Sequence, residues 1–390
     1  MTSDRVGIIG GYMTTFGEHW ELGLRELAAE AIIKSMRTVP KGIDKKEIEA
    51  LWVGNMSGGR FVGQEHVAAV VADAAGLTPI PSSRVECACA SGGLSLRSAY
   101  LAVKSRIFDV VIAASVEKMT DQTNAGDVTT TLGTAADQEW EQALGMTFPG
   151  VYALMARAHF HKYGTTKEHL AAVAVKNHRN ATKNPNAHFR REVTMEQVLN
   201  ARMVADPLGL FDCSPISDGA AAVVLAHESV VPKYTDEPIW IIGSGQASDT
   251  IALHSRCSFT HIYAARKAKE VALKQAKLSV SDLQLAEVHD CFTIAEIMAI
   301  EDLGFFPEGE GGPATLEGRT EIDGEIAINP SGGLKGKGHP VGATGIAQAI
   351  EITHQLLCEA DERQCADAQV GLSHNIGGSG ATALVHLFSR

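Results

Sequence analysis

The stretch VECACASGGLS, residues 85–95, sets Cys87 and Cys89 one residue apart and runs them into a series of small residues. A closed metal site usually takes four ligands, and no second cysteine pair lies nearby. A disulfide across one intervening residue is geometrically poor. A reactive thiol fits better. Cys89 precedes SGGLSLRSAYLAV, which reads as a helix, so N–H groups and the positive end of the helix dipole favour a thiolate there. Gly92 and Gly93 let backbone and substrate approach closely. The plainer reading, a packing cysteine, suits Cys87, which on a strand shares a face with Cys89 but lies away from the helix terminus.

Other stretches supply partners for such a thiol. EVHDCFTIAE puts His289, Asp290 and Cys291 between an apolar strand and a helix, where parallel sheets bind ligands. NPSGGLKGKGHPVGATG ends a glycine-dense loop in His339-Pro340, with proline read as the first helical residue and His339 as a base. That loop lacks the phosphate-loop spacing, and VGIIGGY lacks the dinucleotide pattern, which argues against nucleotide hydrolysis and nicotinamide chemistry. SHNIGGSGATALVHL reads as strand, Gly-Gly turn and strand, with Gly377 and Gly378 able to present bare N–H groups to an oxyanion. Met146 and Phe148 in EQALGMTFPGVY could narrow a pocket or simply pack. His159, His161, His178 and His188 lack cysteines or paired carboxylates at ligand spacing, so no metal site is expected among them.

The elements that must position these groups alternate. RVGIIGG, IEALWVGNM and FDVVIAAS read as short buried strands, with LRELAAEAIIKSM as an amphipathic helix between the first two. The same order recurs from PIWIIGSG through IYAARKAKEVALKQA, LQLAEVHDCF, HPVGATGIAQAIEITHQLL and DAQVGLSHN. Two βαβ-rich halves suggest a duplicated, doubly wound α/β architecture. Between them, residues 120–210 are polar and histidine-rich and read as an inserted cap.

Composition bounds the function. A chain of 390 residues with 45% hydrophobic residues can bury a large core. Its net charge of −12, without basic stripes, argues against nucleic acid or an anionic membrane as a partner. No unbroken apolar run approaches a membrane span, and no signal peptide is visible. Seven irregularly spaced cysteines suit a reducing, cytoplasmic compartment.

CAS at 89–91, HDCF at 289–292, GHP at 338–340, HNIGGSGA at 374–381 and SDGAAAVVL at 217–225 together resemble the thiolases, and within them the branch typified by sterol carrier protein X. The likeness covers nearly the whole chain. It implies the thiolase fold: two βαβαβαββ halves in a five-layered α/β/α/β/α body with a loop domain inserted. The implied division is residues 1–119 and 211–232 for the N-terminal half, 120–210 for the loop domain and 233–390 for the C-terminal half. One departure matters: most thiolases carry a cysteine in the last motif where this chain has Asn375, and His289-Asp290-Cys291-Phe292 replaces their asparagine-bearing motif.

The resemblance implies an acetyl-CoA C-acetyltransferase that forms or cleaves acetoacetyl-CoA through an acyl-cysteine at Cys89. His339 would take the Cys89 proton, and His289 and His339 would donate to an enolate oxygen. The N–H groups of Cys89 and Gly377 would form the oxyanion hole. An amide cannot shuttle protons, so Cys291 is assigned the acid/base role that Asn375 cannot fill. Asn375, Met146 and Phe148 are placed in the substrate pocket, and the cap is expected to touch the CoA nucleotide. No metal and no permanently bound cofactor are expected, with CoA thioesters as substrate and product. Expected partners are a second copy or more of the chain, as homodimer or homotetramer, and for some relatives hydroxymethylglutaryl-CoA synthase with a small zinc-ribbon acyl-CoA-binding protein. The alternatives are a degradative 3-ketoacyl-CoA thiolase for longer or branched chains, or a catalytically silent acyl-CoA-binding scaffold.

Overall fold

The computed structural model describes residues 4–390. Its strands are β1 (Val6–Met13), β2 (Ala50–Gly54), β3 (Ser82–Val85), β4 (Val110–Glu117), β5 (Met203–Ala205), β6 (Leu208–Gly209), β7 (Gly219–His227), β8 (Ile239–Ser248), β9 (Leu285–Glu287), β10 (Ala327–Ile328), β11 (Val370–Gly377) and β12 (Thr382–Ser389). β5 and β6 form a separate small ribbon, and the others run in the order β10-β9-β11-β12-β8-β1-β7-β4-β2-β3.

The duplication is exact in strand order. Count β1, β2, β3, β4 and β7 as one half, and β8 to β12 as the other. Each half then runs third, second, fourth, fifth, first across the sheet. The pairings match as well. β2 is parallel to β3 and β4, as β9 is to β10 and β11, while the last strand of each half runs antiparallel to its neighbours. The halves meet where β1 pairs antiparallel with β8, through Gly7–Trp240 and Ile8–Ile239. β4 and β7 are buried along their whole length, as strands covered on both faces must be, which is why VVIAASVE and GAAAVVLAH show no polar alternation.

Two helices fill the middle of the body, Ser91–Lys104 and Thr344–Leu357, each packed against strands of both halves. Outer helices cover the far faces. In Leu24–Arg37 the residues Leu24, Leu27, Ala28, Ala31 and Ile32 face inward at helical spacing, while Tyr263–Ala276 covers β8 and β12.

Glycines let the two central helices start side by side. A Cβ on Gly92 would lie 2.7 Å from the Gly342 carbonyl and 2.9 Å from Gly345 N, and one on Gly345 would collide with Gly93 and Asn375. Gly345→Ala should therefore lower stability by about 1–3 kcal/mol, the usual cost of overpacking. The urea midpoint measures it, and an unchanged midpoint would mean that the helix starts are not in contact.

Two local expectations are corrected. Cys87 and Cys89 are not on a strand. β3 ends at Val85, and Ala88 takes a left-handed backbone conformation at φ 50°, so the chain turns sharply through the cysteine pair. Pro340 is not at a helix start either: it begins a turn, with Ala343 and Thr344 N–H groups donating to its carbonyl, and the helix opens at Thr344.

Candidate active site

Cys89 occupies the turn before the first central helix, and His339 the turn before the second. The strained elbow at Ala88 is held locally. Ser91 Oγ donates to the Ala88 carbonyl at 2.6 Å and accepts from Cys87 N at 3.0 Å, and the Glu86 carboxylate accepts from Ala88 N. His289, Asp290 and Cys291 follow the C-terminal end of β9 and precede the helix Thr293–Asp302. These turns converge. Cys89, Cys291 and His339 line one cavity of about 150 Å³, closed mainly by apolar groups including Leu132, Phe148, Phe292 and Val341. The sulfur of Cys89 and one nitrogen each of His289 and His339 lie within 4.8 Å of one another. The two imidazoles stand nearly perpendicular, 5.0 Å between centroids.

The hydrogen bonds around the rings assign opposite tautomers. Thr344 Oγ1 donates to the Pro340 carbonyl at 3.1 Å, so at 2.7 Å it accepts from His339 Nδ1–H. That leaves His339 Nε2 with a lone pair. Asn375 Nδ2, which can only donate, reaches His289 Nδ1 at 3.1 Å and the Cys89 carbonyl at 3.2 Å, while Asn375 Oδ1 accepts from Gly93 N at 3.2 Å. The amide cannot flip without breaking contacts on both sides. His289 Nδ1 is therefore an acceptor, and its Nε2 carries the hydrogen. Both Nε2 atoms are buried and, among the described residues, without a protein partner. One presents a lone pair and the other a hydrogen.

A cysteine and two histidines are also zinc-ligand types. With His289 presenting N–H rather than a lone pair, only Cys89 and His339 offer electron pairs toward the centre. The arrangement suits proton traffic better than metal coordination.

Burial sets the resting charge state. It pushes the Cys89 thiol up to about 12; the N–H groups of Gly378 and of Cys89 itself donate toward the sulfur and oppose this, while Glu117 reinforces it. Burial brings His339 down to about 3, and His289 well below its usual range, the latter helped by His339 and His374 nearby. The pair rests as neutral thiol and neutral imidazole. The thiolate expected from the helix terminus is overridden, because desolvation of a fully buried sulfur outweighs a partial dipole charge. Iodoacetamide should accordingly alkylate Cys89 slowly at pH 7, with a rate that climbs about tenfold per pH unit up to pH 10. A plateau reached near pH 6 would instead reveal a preformed thiolate–imidazolium pair.

Other expected residues fall differently. The N–H that meets the Cys89 sulfur is that of Gly378, the residue after Gly377, which was expected to face the oxyanion. Gly377 is still paired with Thr382 in the β11–β12 hairpin, and the chain turns only at Gly378, φ 60°. Phe148 lines the cavity, but Met146 lines a neighbouring open groove. Asn375 lies behind His289 and orients it instead of lining the cavity. The cap histidines are dispersed. His159 bonds Thr165 and Glu301, His178 stacks on Phe189, and His188 bonds Ser217.

Several contributors carried no sequence signal strong enough to single them out. Thr344 sets the His339 tautomer, although its place five residues after the histidine was a usable hint. Ser217 Oγ accepts from His339 N at 3.3 Å. Buried Glu117 accepts from Met56 N at 2.7 Å and from Asn55 Nδ2 at 2.9 Å, and burial raises its carboxyl to about 7. Asp290, unlike these, was named from the sequence; its carboxylate ties its turn to the segment before His339, accepting from Leu334 N at 2.6 Å and Lys335 N at 3.1 Å.

Comparison with known families agrees with this geometry. Residues 6–229 match the family description "Thiolase, N-terminal domain" and residues 245–390 match "Thiolase C-terminal domain-like". The chain belongs to the thiolase family. This thiolase is 55% identical over 385 residues to a protein of Methanothermobacter thermautotrophicus named acetyl-CoA acetyltransferase, covering 99% of both chains. It is 48% identical over 394 residues to a protein of that name from Methanocaldococcus jannaschii, covering 98% of both. Bovine sterol carrier protein 2 is more distant, 32% identical over 395 residues, which are 98% of this thiolase and 72% of that protein. A solved structure titled "Ltp2-ChsH2(DUF35) aldolase" shares the fold, with a TM-score of 0.84 at 24% identity over 98% of this chain and 97% of that one. Among the described residues, no helix is long and apolar enough to cross a membrane.

Proposed function

We propose that this thiolase is an acetyl-CoA C-acetyltransferase, forming or cleaving acetoacetyl-CoA through an acetyl group carried on Cys89. The observation that carries the reading is the meeting of Cys89, Cys291 and His339 at one small apolar cavity, with His289, of the opposite tautomer, within 4.8 Å of Cys89 and His339. The name of the 55%-identical relative supports it.

In the condensing direction His339 Nε2 takes the Cys89 proton as the sulfur attacks the thioester carbonyl. The oxyanion sits on the N–H groups of Cys89 and Gly378, donors worth about 3 kcal/mol each in the transition state. Coenzyme A leaves as a thiolate and takes the Cys291 proton, so the acyl-enzyme holds a Cys291 thiolate and a His339 imidazolium. The thiolate removes an α-hydrogen from a second acetyl-CoA, whose enolate oxygen is held by His289 Nε2–H and the imidazolium. The enolate carbon attacks the acetyl group, Cys89 is expelled, and His339 returns its proton. Every proton is restored at the end of the cycle.

Phe148, Pro149 and Tyr152 reach the cavity from the segment 120–210, which we assign as the cap. A cytoplasmic location and the lack of a resident cofactor belong to this proposal. So does a homodimer or homotetramer, supported by β3, a half-exposed strand at the end of the sheet. Hydroxymethylglutaryl-CoA synthase and a small zinc-ribbon protein remain proposed partners. Thiolysis and condensation should be measured with acyl-CoAs of increasing length. Activity confined to acetoacetyl-CoA and acetyl-CoA is the expected result. Rates that grow with chain length would move the assignment to the degradative enzyme, and inactivity on every substrate would leave the scaffold.

A further inference from the structure

The Tyr152 hydroxyl donates to the Gly378 carbonyl at 3.1 Å, and Tyr152 lines the same cavity as Cys291, close enough that each group shifts the other's titration. Its ring is fully buried and stacks on Phe292, the residue after Cys291, at 4.6 Å between centroids and 27° between planes. Packing therefore fixes where the hydroxyl sits. Gly378 is also the residue whose N–H meets the Cys89 sulfur. One phenol thus stands between the acid/base thiol and the oxyanion donor.

A phenol has a single hydrogen to give. While Cys291 keeps its proton, S–H donates to the phenol oxygen and the phenol hydrogen goes to the Gly378 carbonyl. Once Cys291 is a thiolate, its sulfur can only accept, and rotation about the phenol C–O bond delivers that hydrogen to it. The other donor at the sulfur is the backbone N–H of Phe292. Arg256 lies near Tyr152, but its guanidinium is committed to the Ser379 carbonyl and hydroxyl and the Thr250 carbonyl.

We propose that Tyr152 is a positioning residue for the proton-transfer step, its hydroxyl turning from the Gly378 carbonyl to the Cys291 sulfur whenever that thiol gives up its proton. The proposal rests on Cys291 as the acid/base. The Cys291 proton goes to the departing CoA thiolate and returns from the α-carbon. Tyr152 keeps its own proton throughout, as expected of a phenol that burial and the adjacent thiol hold well above the usual range.

Tyr152→Phe in the full-length enzyme keeps the ring and its stacking and removes only the hydroxyl. Acetylation of Cys89 and the KM for acetyl-CoA should stay within about threefold of the parent. Deuterium exchange at the α-carbon and condensation should slow about 10- to 100-fold, the loss expected for a hydrogen bond to an anion. In a Cys89→Ala background, the pH at which iodoacetamide modifies Cys291 should rise by about one unit on Tyr152→Phe. The charged or titratable groups around that thiol, His289, His339, Asp290, Cys213 and Arg256, are the same in both proteins, and modification is read on the Cys291 peptide. Parent-like exchange in Tyr152→Phe, with Cys291→Ala silent, would overturn the proposal and leave Tyr152 as packing. Equal loss of acetylation and exchange would overturn it as well. Exchange by Cys291→Ala itself would remove the underlying reading of Cys291.

Discussion

Cys89→Ala should lose thiolysis and condensation by about 10⁴-fold or more, the scale on which covalent catalysts fall when the nucleophile is removed. Cys213 and Cys291 also line the cavity, but among the described residues it is Cys89 that sits with both imidazoles within 4.8 Å. Cys291 lines the same cavity in a setting where burial and the Cys89 charge push its thiol well above the usual range. The parent protein, incubated with acetyl-CoA and digested with trypsin, should carry one acetyl group on the peptide 85–97. Fragmentation should place it on Cys89 and not on Cys87, whose sulfur is absent from the cavity lining. An acetyl group found only on another peptide, or transfer undiminished by Cys89→Ala, would remove Cys89 from the mechanism.

Cys291→Ala should separate the two halves of the reaction. Acetylation of Cys89 uses His339 Nε2 and the backbone donors, which this variant keeps, and the departing CoA thiolate can take its proton from the His339 imidazolium in place of Cys291, so the acetyl group should still appear at a rate within about tenfold of the parent. Condensation and α-hydrogen exchange in deuterated water should fall about 10²- to 10⁴-fold, the usual contribution of a positioned acid/base. His289 cannot stand in, because its Nδ1 is occupied by Asn375 and its Nε2 already carries hydrogen. His339 is the remaining candidate, and its neutral Nε2 could in principle remove a proton. Exchange and condensation near the parent rate in Cys291→Ala would show that it does so.

Much of the architecture could be read from residue order alone. The recurrence of buried strands and amphipathic helices in both halves reports the duplication, because strands covered on both faces need unbroken apolar runs and outer helices need one apolar stripe. The meeting of CAS, HDCF and GHP was likewise legible. Residues just beyond the carboxyl ends of parallel strands gather at one rim of the sheet whatever their distance in the chain.

What the chain order could not reveal were quantities that depend on neighbours brought in from afar. The helix start before Cys89 spoke for a thiolate, but the charge state is decided by how deeply the sulfur is buried, and that depth comes from elements hundreds of residues away. The roles of His289 and His339 are decided by Asn375 and Thr344 through single hydrogen bonds, and a histidine's tautomer is invisible in sequence. Gly377 is held in the β11–β12 pairing, and the N–H that meets the sulfur comes from Gly378 in the turn that follows, a register that residue order does not reveal. Asn375 belongs to the same lesson. Residue types and their order specified which groups could do chemistry, while desolvation and directional hydrogen bonds, which exist only in the folded chain, assigned each group its protonation state and its task.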